Sequence, residues 1–271
     1  MQTPPLRYRA VFVSDLHLGA AGCKADAIQH FLESLDCEYL YLVGDIIDLW
    51  VSVKASKWRQ KHTNVVRTVL GKSEYGCKVY YTPGNHDALF RKMNGATLGN
   101  IAFEHSITHI TADGKKLLVV HGDLFDRSVT SLKPLAWGAT WAYEFLTVFM
   151  DWRSSLRPSA SEHSRGGAGR IKARFKRFIQ YFTSFEEHVV LDAQSKGFDG
   201  VVCGHIHKPK IETHESGTLY INAGDWVEHC TAVVEHFDGR LELIRWEQLQ
   251  KEIETHDLSL LKLSPEKIPS R

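Results

Sequence analysis

The chain is poor in soft metal ligands. Its five cysteines, Cys23, Cys37, Cys77, Cys203 and Cys230, are odd in number, scattered, and never spaced as C-x-x-C. That pattern excludes a disulfide framework and a zinc ribbon, and it reads as small buried residues in a reducing compartment. Net charge is lacking too: 33 Lys and Arg stand against 32 Asp and Glu, a formal +1. Nothing global therefore draws the chain to nucleic acid, and any polyanion contact must come from a local patch. Long apolar runs are missing. The most membrane-like stretch, Leu135 to Met150, contains Glu144 and falls short of the ~20 apolar residues a spanning helix needs. Met1 to Ala10 carries Pro4, Pro5, Arg7 and Arg9 and runs into a strand-like segment, not a secretory apolar region, so the expected compartment is the cytoplasm. No internal repeat or low-complexity tract is present.

What is abundant is histidine: fifteen in 271 residues, within a composition that is 43% hydrophobic. The length suffices for one large α/β domain or two small ones with a substantial core. A thiol-poor, imidazole-rich chain points to catalysis or to borderline metals bound through nitrogen and oxygen.

The first half alternates short β-branched or aromatic runs with helical patterns, the mark of a layered α/β fold. Strands are expected at Arg9 to Val13, Tyr39 to Val43, Lys78 to Thr82 and Leu117 to Val120, and helices over Ala25 to Leu35 and Lys54 to Leu70. Asp113-Gly114 and Asp238-Gly239 each sit between strand-like runs and predict hairpins, giving the second half a more antiparallel character. Between the halves, Leu124 to about Gln194 is helical in pattern, broken by Pro158 and Gly166-Gly167, and reads as an insertion that caps the domain. The tail after Gln250 is polar and expected to be peripheral.

Five clusters of hard or borderline ligands follow expected strands: Asp15-Leu16-His17, Gly44-Asp45-Ile46-Ile47-Asp48, Gly84-Asn85-His86-Asp87, His121-Gly122-Asp123, and Gly204-His205-Ile206-His207 after the apolar run Gly200 to Cys203. In a layered α/β sheet the carboxyl ends of strands converge on one edge, so these side chains can meet. Carboxylate, imidazole and amide oxygen together suit Mn, Fe, Zn or Mg, and cysteine-free clusters argue against structural zinc. The glycines at 44, 84, 122 and 204 permit tight turns that aim the next residue into a cleft. Each cluster alone is weak, since Asp48 alone reads equally as a helix cap and Asn85 as a turn residue. Five in order are much harder to explain as turn chemistry.

In this order D-x-H, G-D-x-x-D, G-N-H-D, H-G-D and G-H-x-H resemble the calcineurin-like metallophosphoesterase family, over roughly residues 9 to 246. The resemblance implies a four-layer αββα sandwich with a helical cap insertion over about 124–194, the domain filling 1–250 and a tail over 251–271. It implies two divalent metal ions, Mn foremost, with Fe, Zn or Mg as alternatives. One would take Asp15, His17, Asp45 and His207, the other Asp45, Asn85, His121 and His205, with Asp45 bridging. Two such ions clamp an in-line displacement at phosphorus and acidify a shared water. His86 would then face the substrate oxygens as proton donor or electrostatic catalyst, with Asp48 on its far nitrogen. Asp87 and Asp123 are weaker candidates for supporting carboxylates.

The stretches His121 to Asp126, Phe185-Glu186, Val201 to His207 and Asn222 to Glu228 resemble the bacterial UDP-2,3-diacylglucosamine diphosphatase branch, which implies a nucleotide-linked lipid or a related small phosphoester as substrate. The insertion agrees in composition. Leu132 to Trp152 is rich in aromatics, with Trp137 and Trp141 among the candidates to line an acyl groove. Arg165 to Phe178 carries six cations and no acid, with Arg170 and Arg174 as candidate diphosphate contacts or part of a face toward an inner-membrane surface. The bland readings are a packed cap and a solvated basic face. One departure stands out: His86 occupies a position where that branch carries arginine, replacing a bidentate phosphate clamp with a proton-transfer group. A repair-type nuclease is the competing enzymatic reading of D-x-H and G-D-x-x-D, but the near-neutral charge opposes it and no nucleic acid is expected.

Overall fold

The computed structural model describes residues 6–52, 58–125 and 185–262. Contacts divide the chain into two compact units, Met1–Asp123 with Val189–Arg271, and Leu124–His188. Most of the expected insertion, including Trp137, Trp141, Arg170 and Arg174, lies outside the described residues.

The first unit is a mixed α/β structure built on two sheets. Strand β1 (Leu6–Val13) leads through helix α1 (Ala25–Glu33) to β2 (Leu35–Val43), and short α2 (Leu49–Ser52) and α3 (Gln60–Glu74) lead to β3 (Lys78–Thr82). Then come β4 (Thr97–Leu98), β5 (Ile101–Phe103), β6 (Ile107–Ile110) and β7 (Lys116–Val119). A helix α4 over 185–195 precedes β8 (Gly200–Cys203). The chain closes with β9 (Lys210–Thr213), β10 (Leu219–Asn222), β11 (Thr231–Glu235), β12 (Leu241–Arg245) and α5 (Trp246–Lys262). The larger sheet has the order β12-β11-β1-β2-β3-β5-β4 and the smaller β6-β7-β8-β10-β9.

Periodicity explains the layering. On β1 and β2, Ala10, Phe12, Tyr41 and Val43 point one way and meet Val119, Val202 and Ile221 of the second sheet, forming the core between sheets. Their neighbours Val11, Val13, Leu40 and Leu42 point the other way, to Ile28 and Phe31 of α1, Val65 of α3 and Trp246 of α5. A strand buried on both faces reads as a continuous apolar run, which is what parallel pairing inside a sheet requires. In α1 the buried positions 25, 28, 31 and 32 make one helical stripe.

Several expectations shift. Positions 54–57 of the second expected helix lie outside the described residues; α3 begins at Gln60, with His62 Nδ1 accepting the Arg59 N–H at 3.1 Å to close its first turn. The second sheet is less antiparallel than its turn signals imply: β7, β8 and β10 run parallel, and only β6 and β9 at its edges are reversed. Both Asp-Gly hairpins form, with Gly114 and Gly239 at φ of 88° and 85°. The tail expected to be peripheral after Gln250 is in part helix α5, which begins at Trp246 and packs Leu249 and Ile253 on the core.

Candidate metal centre at the strand ends

Each of the five clusters emerges at the carboxyl end of a strand: Asp15 and His17 after β1, Asp45 and Asp48 after β2, Asn85 and His86 after β3, His121 after β7, and His205 and His207 after β8. Because the two sheets pack face to face with these ends on one edge, eight of these residues are drawn to one place, and Asn85 lies between Gly84 and His86, both of which abut Asp45. His207 Nε2 lies 3.0 Å from Asp15 Oδ1, and His17 Nε2 lies 3.7 Å from the same oxygen. His121 Nε2 is 3.3 Å from Asp45 Oδ2. Three groups offer ligand atoms mutually within 4.8 Å: Asp15, His17 and His207; His17, Asp45 and His86; and Asp45, His121 and His205. Asp45 is common to two of them.

The backbone is bent to achieve this. Among the described non-glycine residues, Asp15, His17, Asp45, His205 and His207 have φ between 48° and 69°, the left-handed region that side chains rarely enter; Cys230 is the sole other case. The glycines serve for two distinct reasons. Gly44 and Gly122 have φ of 77° and 113°. Gly84 and Gly204 do not need positive φ: a Cβ at Gly84 would fall 2.3 Å from Asp45 Oδ1, and one at Gly204 2.4 Å from Asp15 Oδ2. They are small so that loops from the two sheets can close on the carboxylates.

Electrostatics match the donor set. Burial disfavours a charged His121, yet the adjacent Asp45 carboxylate outweighs it and pushes the imidazole up to about 10. His207 is likewise pushed up to about 9 by Asp15 against its burial. Asp15 and Asp45 are held below the usual carboxylate range, burial opposing but the imidazoles prevailing. Asn85 Oδ1 is a buried oxygen that no hydrogen-bond donor among the described residues reaches. A buried acceptor of that kind costs free energy unless a cation or donor satisfies it. Buried carboxylates, imidazoles and this amide oxygen fit divalent cations with nitrogen and oxygen preference.

His86, a member of the second group, also faces Asp48. His86 Nδ1 is 3.4 Å from Asp48 Oδ1, and His17 Nδ1 is 3.9 Å from Asp48 Oδ2. Burial works against the His86 charge, but the Asp48 hydrogen bond and the surrounding carboxylates raise its pKa on balance. Asp87 is fully buried and ties two loops together, accepting from Ile46 N at 2.8 Å, Gly84 N at 2.6 Å and Tyr81 Oη at 2.5 Å. Asp123 instead pairs with Arg91 at 2.5 Å.

Other contributors carried no sequence signal of this role. Ser14 Oγ donates within reach of both Asp15 Oδ2 at 2.5 Å and Val43 O at 2.6 Å. Asp225 accepts three backbone N–H groups, from Val227, Glu228 and His229, and meets His229 Nδ1 at 2.5 Å, fixing the turn whose Trp226 N–H donates to Asp15 O. Trp50 stacks on His86 with centroids 4.4 Å apart and an interplanar angle of 29°, while 61% exposed. A tryptophan two residues after G-D-x-x-D was visible, but its partner lies 36 positions away.

Fold and edge together define a candidate centre for divalent cations, with carboxylate, imidazole and amide groups gathered at strand ends. The calcineurin-like phosphoesterase family model matches residues 8–209, and the chain belongs to that family. It is a metal-dependent phosphoester hydrolase. Curated relatives named UDP-2,3-diacylglucosamine hydrolase include those of Tolumonas auensis, 25% identical and covering 80% of this chain and 88% of that one, and Shewanella pealeana, 26% identical with 87% and 97% covered. The relative from Aliivibrio fischeri is 25% identical, with 84% and 94% covered. Among solved structures, the phosphoesterase YfcE from E. coli is similar at 13% identity and a TM-score of 0.42, covering 87% of this chain and 98% of that one.

Proposed function

We propose that the chain hydrolyses the pyrophosphate of UDP-2,3-diacylglucosamine, or of a related UDP-linked lipid, to UMP and a lipid 1-phosphate. The observation that carries this reading is the set of three overlapping ligand groups at one edge, Asp15, His17 and His207; His17, Asp45 and His86; and Asp45, His121 and His205, with Asp48 beside the His86 ring. Relatives bearing the hydrolase name, 25–26% identical over 80% or more of the chain, support this choice of substrate. Asp15, His17, Asp45 and His207 would hold one divalent cation, and Asp45, Asn85, His121 and His205 a second. When bound, the cations neutralise phosphoryl charge and lower the pKa of water.

The side chains divide the remaining work. His86 presents its imidazole to the phosphoryl oxygens, where it donates a proton to developing charge or to the departing phosphate. Asp48, at the other ring nitrogen, orients that imidazole and favours its protonated form. Trp50 covers one face of the ring. On sequence grounds Arg170 and Arg174 are retained as contacts for the diphosphate, and Trp137 and Trp141 for the acyl chains. No helix of the described residues is long and apolar enough to cross a membrane.

The deciding experiment offers the manganese-loaded protein UDP-2,3-diacylglucosamine, a panel of simple UDP-sugars, an aryl phosphodiester and single-stranded DNA. Release of UMP with lipid 1-phosphate from the diacyl substrate is the expected outcome. Turnover of the aryl diester alone would leave the family intact and remove the lipid role.

A further inference from the structure

Away from the metal edge, at the opposite ends of the same strands, two thiols face each other. Cys37 is the third residue of β2 and Cys77 immediately precedes β3. Their sulfurs are 3.4 Å apart, at van der Waals contact with nothing between them. Both pack on the helix side of the larger sheet. Both also line a cavity of about 770 Å³ whose wall carries Arg7, Lys72 and Lys78 beside Asp36 and Glu38. The other cysteines, Cys23, Cys203 and Cys230, are buried and form no disulfide.

We propose that Cys37 and Cys77 form a redox-active dithiol, which a small zwitterionic disulfide entering this cavity oxidises to an intramolecular disulfide. Tyr39 pairs with Lys78, so Cys77 lies one residue out of register with Cys37; with strands about 4.7–4.9 Å apart and a rise of about 3.3 Å per residue, the two stay inside the Cα separation of about 4.4–6.8 Å that a disulfide bridges. The mixed cationic and acidic wall suits a reagent carrying both ammonium and carboxylate groups. The two thiols are inequivalent. The bond from Cys37 and the Lys72 ammonium hold Cys77 below its ordinary pKa against burial, while the same bond together with burial pushes Cys37 up.

The exchange balances without any further reagent. The Cys77 thiolate attacks one sulfur of the small disulfide, forming a mixed disulfide and expelling one small thiolate. Cys37 then gives up its proton and attacks Cys77 Sγ, expelling the second. Two protein thiols are oxidised and one small disulfide is reduced to two thiols. The product staples β2 to β3, the strands whose far ends carry Asp45 and Asn85.

The test equilibrates the metal-loaded full chain with graded ratios of reduced and oxidised glutathione, quenches with acid, alkylates, and reads intact mass and peptide maps. The wild type is expected to fall from five alkylatable thiols to three as the buffer becomes oxidising, with one cross-linked peptide joining Cys37 to Cys77 and full reversal by dithiothreitol. Cys37→Ser is expected to stop at a single glutathione adduct on Cys77. Five alkylated thiols at every ratio, or a cross-link to Cys23, Cys203 or Cys230, would overturn the proposal, and neither reading depends on the substrate being a UDP-lipid.

Discussion

Asp87 provides the sharpest test of how the loops cooperate. Its carboxylate is fully buried and receives Ile46 N–H, Gly84 N–H and Tyr81 O–H, all within 2.8 Å. Ile46 follows Asp45, and Gly84 precedes Asn85, so one side chain fastens the two loops that present those ligands. Asp87→Ala strands three buried donors. At roughly 1–3 kcal/mol for each buried donor left unsatisfied, and with a water able to occupy part of the space, the loss comes to about 3–5 kcal/mol. That is a large share of the ~5–15 kcal/mol by which a domain is stable. Asp87→Asn keeps the shape but turns an NH2 toward one of the donors, costing about 1–3 kcal/mol. Part of this is recovered, because burial and the Asp45 charge already oppose ionisation of Asp87. Denaturant titration with chelator present reads the fold, and metal content of folded protein reads the site. The expectation is a graded series, wild type above Asn above Ala, with metal content falling in the Ala variant under conditions where it remains folded. If Asp87→Ala lay within about 1 kcal/mol of wild type and retained its metal, the coupling of these loops through Asp87 would be refuted.

Four further perturbations probe the centre and the sheet interface. Asp45→Ala is expected to abolish turnover and lower metal content together, and near-normal activity would sink the shared-ligand assignment. His86→Ala should keep its metal yet lose roughly 10²–10⁴ in kcat, the range of a lost acid–base group; a parallel fall in metal content would make His86 a ligand instead. Trp50→Ala removes the ring stacked on His86, worth roughly 0.5–1 kcal/mol for an exposed cation–π contact, so kcat should drop about 2- to 5-fold with metal unchanged and Trp50→Phe restoring most of it. An unaltered pH–rate profile and kcat in Trp50→Ala would refute the positioning role. Glu235 is buried between the sheets and bonded by His109 at 2.7 Å, Ala112 N at 2.6 Å and Arg9 at 2.7 Å. Burial raises its pKa, but these donors outweigh it and lower the carboxyl below its ordinary 4.5. A depressed folded-state pKa contributes stability that is present above the unfolded value and lost as pH falls through the folded one. The thermal midpoint of wild type should therefore decline below about pH 4.5 more steeply than that of Glu235→Gln, which starts lower at pH 7; parallel curves would count against it.

How far the chain could be read in advance depended on whether the signal was local. Strands β1, β2, β3, β7 and β8 were visible because burial on both faces makes continuous apolar runs, and the ligand clusters were visible because each immediately follows its strand. The parallel pairing of β8 with β10 was not, since Lys210–Thr213 intervenes as a reversed edge strand and its turn signals are those of an antiparallel meander. The reading of Gly84 and Gly204 as tight turns missed the actual constraint, which is a side chain from another loop in the space of the missing Cβ. His109 carried no motif, yet it bridges Tyr41 at 2.8 Å to Glu235 at 2.7 Å across the sheet interface. Such long-range partners leave no periodicity in the chain, so Asp225 and Trp50 acquire their roles only once the strands are paired, whereas Asp87 is already a candidate supporting carboxylate in the sequence.

The left-handed residues show how the edge is held. A non-glycine residue in that region costs on the order of 1–3 kcal/mol, less for Asp and His, which tolerate it better than most. Five such residues at one edge would together cost an amount comparable to a domain's entire stability, so each must be closed by bonds that other conformations would forfeit. They are. Asp15 N–H donates to Gly44 O, His17 N–H to Asp45 O, and Asp48 N–H returns to Leu18 O, lacing the β1 and β2 loops into one unit. His205 N–H donates to Asp15 Oδ2 at 3.0 Å and His86 N–H to Asp45 Oδ1 at 2.7 Å, so the two carboxylates pin the loops after β8 and β3 with one oxygen and keep the other for the imidazoles. The bent backbone and the ligand set are therefore one device. Relaxing any single turn would release bonds to its neighbour, and a substitution chosen to relieve strain at Asp15 or Asp45 should loosen the opposite loop before it stabilises its own.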